Sequence, residues 1–467
     1  MGQPHRISDA TGPDAAILDA VGPEAARAQD APIAVLGAGI AGLTAADRLS
    51  RAGRPVVVID AADRIGGTHR SVEIGAYTFD VGSIFYEPGA RLFDLAPGLD
   101  ALCPTVRRVQ RRVAPDGSLQ HYPLEPRDLL RWPAAKRAGA VADLLRARVA
   151  VRRDGSLDTI CRRRLGDAFY RGTGLRDYIA RFNHVPPEEV DETFFFQRMG
   201  FIARSTELRA LLRMGTRMLR RRAAPRPVRP PLHVRPRAGY DALFAPVRAA
   251  LEARGVRFAL GAAVERVERD AAGRFVVHTA AGPERAGAVI GAAPLDLMHR
   301  AALGTGAGLL SLDLMTLFVS AAELHPETGN VLFNFHPDGR WKRATIYSRL
   351  YPDPAVERAF FAVEVTVPPG AAPDPEAAFA DASAQFEALG LARDLRLEGH
   401  ALVPGAYPLY LRGQAEAAVA ARARVRGAGI LPVGRQGGFE YLPTAGGVIR
   451  RVDEELARNA PALRVHD

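Results

Sequence analysis

The sequence predicts an α/β protein in which a parallel sheet is assembled from separated stretches of chain and joined to an α+β part, an antiparallel sheet with a helical insert. Three observations point there. A strand, a glycine-rich turn, a helix and a second strand follow one another between Ile33 and Asp60. Another strand, ending in glycine and arginine, stands near the C-terminus at Gly429–Arg435. Between them a long block of helical pattern precedes a long block of strand pattern, the grouping expected of an α+β unit rather than of alternating βα repeats.

The opening unit begins with the apolar strand Ile33-Ala34-Val35-Leu36 and runs directly into Gly37-Ala38-Gly39-Ile40-Ala41-Gly42. Leu43, Ala46 and Leu49 share a helical face, Gly53 ends the helix, and Val56-Val57-Val58-Ile59 closes on Asp60. The three glycines do different things. Gly37 permits the tight turn, Gly39 lets backbone approach a pyrophosphate, and Gly42 lets helix and strand pack closely. Phosphates would sit over free N–H groups at the helix start, where the helix dipole also favours negative charge. Asp60, 18 residues beyond Gly42, is placed to take both hydroxyls of an adenosine ribose.

The residues after Asp60 narrow the dinucleotide. Arg64-Ile65-Gly66-Gly67-Thr68, and then Phe79-Asp80-Val81-Gly82-Ser83, resemble the flavoprotein superfamily of amine oxidases, protoporphyrinogen oxidases, phytoene desaturases and UDP-galactopyranose mutases. The resemblance implies a Rossmann-like FAD-binding domain with FAD as the cofactor. It also implies that Ala61, Arg64, Gly66, Gly67 and Thr68 join Gly37, Ala38, Gly39, Ile40, Ala41, Gly42 and Asp60 in holding it. Several of these families place a histidine near the flavin after the Asp-x-Gly step; here Ser83-Ile84-Phe85 follows, which argues against histidine chemistry at that point.

At 467 residues, 48% apolar and 24% charged, the chain has an ordinary globular composition and length for about three domains' worth of core. Lys136 and Lys342 are its two lysines among 62 basic residues, a skew better explained by nucleotide composition than by a binding function. The net charge of +10 favours anionic partners such as a phosphate, a nucleotide-sugar or an acidic lipid surface, and no nucleic-acid signature accompanies it. Cys103 and Cys161 stand alone, without Cys-x-x-Cys or clustered histidines, so they read as buried thiols and no metal site is expected. Residues 1–31 lack the basic start and apolar run of a secretory signal and suggest a flexible tail. No window of 18 consecutive apolar residues occurs. A cytoplasmic protein is expected, with peripheral contact at the inner face of the membrane as a further expectation.

The expected organisation assigns 32–90, 237–300 and 429–467 to the FAD-binding domain, 91–236 to a helical insert on the substrate side, and 301–428 to the substrate-domain sheet. Roughly Arg91 to Arg222 is read as a long helical region. Leu124–Val151 carries leucines and alanines at helical spacing among Arg131, Lys136, Arg137, Arg146 and Arg148, and Ser156–Gly200 reads as two or three helices broken at Gly172-Thr173-Gly174 and Pro186-Pro187. Ser205–Arg222 is a basic amphipathic helix of the kind that can lie on anionic lipid; the solvated face of a packed helix is the plain alternative. Beyond the proline-rich link Pro225–Pro236, a helix is expected at Ala242–Arg254 and strands at Val256–Leu260, Ala263–Glu268, Arg274–Thr279 and Ala288–Pro294. The superfamily resemblance places Val264 beside the adenine. Further strands are expected at Leu314–Ala321, Val331–Phe335, Ala344–Arg349 and Ala359–Val367. A helix at Pro375–Leu389 is capped by Asp374, with proline tolerated at its first position.

Near the C-terminus, Gly429-Ile430-Leu431-Pro432-Val433-Gly434-Arg435 delivers an arginine from a strand, and Gln436–Tyr441 leads to a helix at Gly446–Arg458. With Ala406-Tyr407-Pro408-Leu409-Tyr410, this element resembles UDP-galactopyranose mutases and their polysaccharide-cluster relatives, and implies that Gly434 and Arg435 reach the flavin. Phe439 stands where those mutases have tyrosine, and Leu442-Pro443-Thr444 where they have acidic residues; both departures weigh against the mutase assignment and leave the flavin assignment intact.

Two chemistries compete. One is an FAD-dependent oxidoreductase that oxidises or desaturates a small molecule by hydride transfer to flavin; the other is a mutase-like rearrangement of a nucleotide-sugar without net redox. The first needs a flat apolar cleft. The second needs arginines and tyrosines for a diphosphate, for which Arg343, Arg349, Tyr407, Tyr410 and Tyr441 are the candidates. No catalytic base stands out, and Lys342 beside Trp341 offers little. Substrate identity and oligomeric state are not legible.

Overall fold

The computed structural model describes residues 31–82, 84–207 and 230–459. The expected tail up to residue 30 and all but the first residues of the basic segment Ser205–Arg222 lie outside them. Ile33–Leu36 is buried along its whole length and forms the centre of a five-stranded parallel sheet. The order across that sheet is Ile430–Pro432, Ala288–Gly291, Ile33–Leu36, Val56–Asp60 and Arg257–Leu260.

Strands covered on both faces read as continuous aliphatic runs, and the central strand shows how two cores are served by one run. Ile33 and Val35 point into a cluster with Leu43, Leu49, Leu243, Val247, Ile449 and Val452, which come from the helices Ile40–Arg51, Gly239–Glu252 and Ala445–Arg458. Ala34 and Leu36 point the other way, into a cluster with Val267, Phe275, Met298 and Val425. That face is covered by a three-stranded antiparallel sheet, Val264–Arg269, Phe275–Thr279 and Gly282–Ala286, and by two helices, Leu295–Leu303 and Gln414–Gly427.

A second, seven-stranded sheet runs in the order Ala392–Pro408, Ser311–Leu324, Ala359–Val367, Arg343–Ile346, Val331–Asn334, Gln110–Val113 and Leu119–His121. The helix Pro375–Ala388 backs it, and Asp374 caps that helix by accepting from the Ala377 N–H at 3.0 Å. Two expectations are corrected here. Gln110–Val113 and Leu119–His121 lie inside the stretch read as helical, and Gln110–Val113 pairs in parallel with Val331–Asn334, so the sheet is mixed rather than wholly antiparallel. The cause is Arg112, a buried arginine in a strand, held by Gln120 at 2.6 Å and by Asp128 at 3.4 Å. Arg349 lies on a helical turn, Tyr347–Leu350, after the strand ends at Ile346. The helical insert comprises Ala134–Ala150, Leu157–Leu165, Asp167–Gly172, Leu175–Asn183, Thr193–Arg198 and Gly200–Ser205.

Candidate functional site: a glycine cradle beside a cationic, tyrosine-walled cluster

The turn after the first strand is shaped by close approach. A Cβ on Gly42 would lie 1.8 Å from the Gly37 carbonyl oxygen, so no other residue lets the helix leave the strand at this angle. The helix Ile40–Arg51 starts at Gly39 without a side-chain cap, which leaves N–H groups of its first turn for a ligand. Asp60 braces the turn: its carboxylate accepts from the Ala38 N–H at 2.6 Å and from the Ala62 N–H at 2.8 Å. The Arg-x-Gly-Gly element closes over the same turn, the Gly66 N–H donating to the Ala38 carbonyl at 2.8 Å. From the third chain segment, Gly434 presses on the helix start, where a Cβ would come within 2.3 Å of the Ala41 Cβ.

Gly37 to Gly42, Asp60, Gly66, Gly67, Gly434 and Arg435 are thereby brought together. Ala61 is exposed and Thr68 half-buried at the same rim. Val264 packs with the apolar cluster beneath the parallel sheet. Arg64 is turned outward, in ion pairs with Asp63 at 3.3 Å and Asp241 at 3.5 Å.

Arg435 links the cradle to the second sheet. Its guanidinium donates to the Ala406 carbonyl, lies 5.1 Å from the Tyr407 ring centre, and keeps a buried Nε without a partner. Glu440 does not neutralise it, being held by Arg451 at 2.8 and 2.9 Å. His69, two residues past the paired glycines, stands edge-on to Tyr240 and Phe244. Burial, reinforced by the charge of Arg435, lowers its pKa to about 4 although the Gly66 backbone opposes this, so the ring is neutral at neutral pH. Its Nε2 is buried and unpartnered. Buried polar atoms left unpaired by a fold call for a ligand or water, and two of them beside an uncapped helix start fit a dinucleotide that carries both phosphate and a polar ring system.

Beyond Arg435, two cations, Lys342 and Arg343, pair with one carboxylate, and a third, Arg198, lies against Tyr407. Arg343 and Glu364 are cross-strand neighbours and an ion pair, and Lys342 lies 2.8 Å from the other Glu364 oxygen. Burial alone would raise the Glu364 pKa, but Arg343 and Lys342 outweigh it and hold the group at about 2. Lys342 also donates to the Tyr407 hydroxyl at 2.9 Å. Arg198, ending the helix Thr193–Arg198, sits 3.6 Å from the Phe182 ring centre, 4.6 Å from Tyr441 and 4.9 Å from Tyr407. Tyr122 stacked on Phe333 and Tyr178 stacked on Phe335 extend the aromatic wall, and the Tyr441 N–H donates to the Tyr410 hydroxyl at 2.8 Å.

Tyr407 is distinguished electrostatically. Burial pushes Tyr122 and Tyr410 up to about 12. At Tyr407 the same burial, together with Glu364, is overcome by Lys342, Arg343 and Arg198, and its pKa falls below the ordinary 10.0. Titrating the phenols by ultraviolet difference absorbance is expected to show one early-ionising tyrosine, absent in Tyr407→Phe and shifted to higher pH in Lys342→Met. Identical titrations of all three proteins would remove the Lys342–Tyr407 coupling.

Of the substrate-side residues expected from sequence, Arg343, Tyr407, Tyr410 and Tyr441 converge. Arg349 does not: it donates to the backbone carbonyls of Gly329 and His325 at 3.1 and 2.6 Å. Arg198, Glu364, Tyr122 and Tyr178 were not anticipated. Among the described residues no group of three or more His, Cys, Asp or Glu side chains could hold a metal ion.

Residues 40–315 match the family model described as flavin containing amine oxidoreductase. The chain belongs to that family. It is a flavin-dependent enzyme, and its cofactor is FAD. Among solved structures, reduced UDP-galactopyranose mutase shares 18% identity and a TM-score of 0.73, with 93% of this chain and 94% of that one covered. A protein from Exiguobacterium sp. assigned as protoporphyrinogen oxidase gives 18% and 0.69, over 92% and 99%. A putrescine oxidase variant gives 16% and 0.60, also over 92% and 99%. At such identities the likeness is one of fold. No curated protein matches the sequence. No helix among the described residues is long and apolar enough to cross a membrane.

Proposed function

We propose that this family member is an FAD-dependent oxidoreductase that oxidises or desaturates an anionic small molecule. The observation that supports an anionic substrate is the clustering of Arg198, Lys342, Arg343 and Arg435 around Tyr407, with Glu364 as the one carboxylate that pairs with Lys342 and Arg343. Cations held in low dielectric and short of counter-charge favour a ligand that brings its own. In this reading Gly37 to Gly42, Asp60, Gly66, Gly67 and Arg435 hold the cofactor, on segments 32–90, 237–300 and 429–467, while 91–236 and 301–428 form the substrate side. FAD supplies the hydride acceptor. Arg198 and Arg343 orient the anionic end of the substrate, the stacked tyrosines exclude water, and Tyr407 holds or releases a proton at its hydroxyl under the control of Lys342. Anaerobic titration of the oxidised protein with carboxylate- and phosphate-bearing compounds should bleach the flavin for members of the substrate class. Bleaching by neutral or cationic compounds alone would overturn the anionic assignment.

A second reading, a nucleotide-sugar mutase, draws on the same arginines and tyrosines, with Phe439 against it. It requires reduced flavin at the start, so turnover only after dithionite or NADPH reduction, with no net product oxidation, would select it over the first.

Arg435 separates a cofactor role from a structural one. Removing its charge in Arg435→Met is expected to lower the flavin reduction potential by tens of millivolts, since about 30 mV corresponds to about 1.4 kcal/mol in a two-electron couple. A spectroelectrochemical titration that gives the wild-type potential at full FAD occupancy would take Arg435 off the cofactor.

A further inference from the structure

The helix Ala134–Ala150 is inverted relative to an ordinary surface helix. Its inward side is made of small residues, Ala140 and Ala147, packed toward the helices Leu157–Leu165 and Asp167–Gly172. Its solvent side carries Val141, Leu145 and Val149, spaced by four and 43%, 64% and 86% exposed. Ala134, Ala138 and Ala142 are exposed too, and at helical spacing they fall on this same face. Leu130, just before the helix, is 55% exposed, so four of the ten exposed large hydrophobic side chains among the described residues lie within twenty positions. A helix of this kind would normally present charge to water.

The charge lies beside the apolar stripe instead. Residues 131–153 contain Arg131, Lys136, Arg137, Arg146, Arg148, Arg152 and Arg153 against a single acid, Asp143. Asp143 is turned toward the protein, accepting from the Ala168 N–H at 2.8 Å. Arg131, Arg137, Arg146 and Arg152 have no acidic partner among the described residues, and all but the half-buried Arg137 are exposed.

Charge selects the occupant. A second copy would bring an equally basic face, and the chain's own segment 208–229 holds eight arginines and no acid, so both would be repelled. A protein partner is usually met by aromatic anchors in a pocket; this stripe is a ridge of valine, leucine and alanine. We propose that the helix Ala134–Ala150 docks on an anionic lipid bilayer, with Val141, Leu145 and Val149 entering the headgroup–acyl boundary and the flanking arginines meeting acidic headgroups.

The test is co-sedimentation of the full-length FAD-loaded protein with vesicles of phosphatidylcholine alone or of phosphatidylcholine and phosphatidylglycerol in equal parts. Binding is expected to the mixed vesicles, to be weak on the neutral ones, and to fall with added salt. Leu145→Asp with Val149→Asp should weaken it by about tenfold or more, and Arg146→Gln with Arg152→Gln by about fivefold per arginine. Both pairs lie on the surface, and unchanged flavin absorbance and thermal melting confirm their fold. Absence of binding to mixed vesicles, equal binding to both vesicle types, or full binding by the Asp variant would overturn the proposal. So would a wild-type oligomer that the Asp substitutions dissolve, because the stripe would then be a protein interface.

Discussion

Gly39→Val is expected to give a folded protein that has lost FAD. A Cβ at Gly39 meets nothing closer than the Gly67 Cα at 3.8 Å, an ordinary contact, and the residue has extended backbone at φ −78°. The chain can therefore absorb the side chain. The added methyl groups nevertheless enter the gap between the two glycine turns, where the proposed binding mode has a pyrophosphate reaching backbone N–H groups. Affinity should fall by about a thousandfold or more, about 4 kcal/mol. Gly42→Val is the contrasting control. Its Cβ collides with the Gly37 carbonyl, so it should fail at folding rather than at binding. Flavin-to-protein absorbance ratios and thermal melts of both variants separate the two outcomes, and wild-type flavin content in Gly39→Val would show that the phosphates lie elsewhere.

Arg235→Met is expected to destabilise the protein by about 3–5 kcal/mol, the range for leaving one half of a buried ion pair uncompensated. Arg235 and Asp80 are 1% and 0% exposed at their side chains and 2.7 Å apart. The guanidinium also donates to the Thr78, Pro236 and Arg237 carbonyls and lies over the Tyr351 ring. Burial raises the Asp80 pKa even though Arg235 and Ser71 both act to lower it, so without the arginine the carboxylate must take up a proton or draw in water. Adding Asp80→Asn should recover part of the loss, since the stranded charge is then gone. Chemical denaturation of the FAD-loaded proteins measures both. A loss under about 1 kcal/mol in Arg235→Met would mean that solvent reaches the pair.

The parallel sheet was legible because four of its five strands, all but Arg257–Leu260 at one edge, are buried and leave apolar runs. The glycine turn and Arg435 were legible because each depends on residues within one short stretch. The substrate side was not. Gln110–His121 conceals its strands behind Arg111 and Arg112, and Ala392–Pro408, an edge strand, alternates weakly through Arg393, Asp394, Arg396 and Glu398. Arg198 was invisible for another reason: in a chain with 62 basic residues, an arginine is marked only by what surrounds it, and Phe182, Tyr407 and Tyr441 arrive from distant segments. Lys342, one of two lysines, was noticed for its rarity, but its partners Glu364 and Tyr407 became apparent only once the strands were paired.

The central strand Ile33–Leu36 has a consequence for how the molecule comes into being. Its neighbours are Val56–Asp60 on one side and Ala288–Gly291 on the other, and the next strand out is Ile430–Pro432. During synthesis the first neighbour is at hand within seconds, whereas the second emerges after some 250 further residues, at about 5–20 residues per second. For that interval one edge of an aliphatic strand stands open, a template for pairing with other nascent chains. Contacts this remote in sequence form slowly. Gly434 and Arg435 come later still, so the glycine cradle proposed for FAD is completed only when the last strand docks. Free FAD added to a refolding reaction should therefore raise the yield of native protein by binding the finished sheet, leaving the early rate of collapse unchanged.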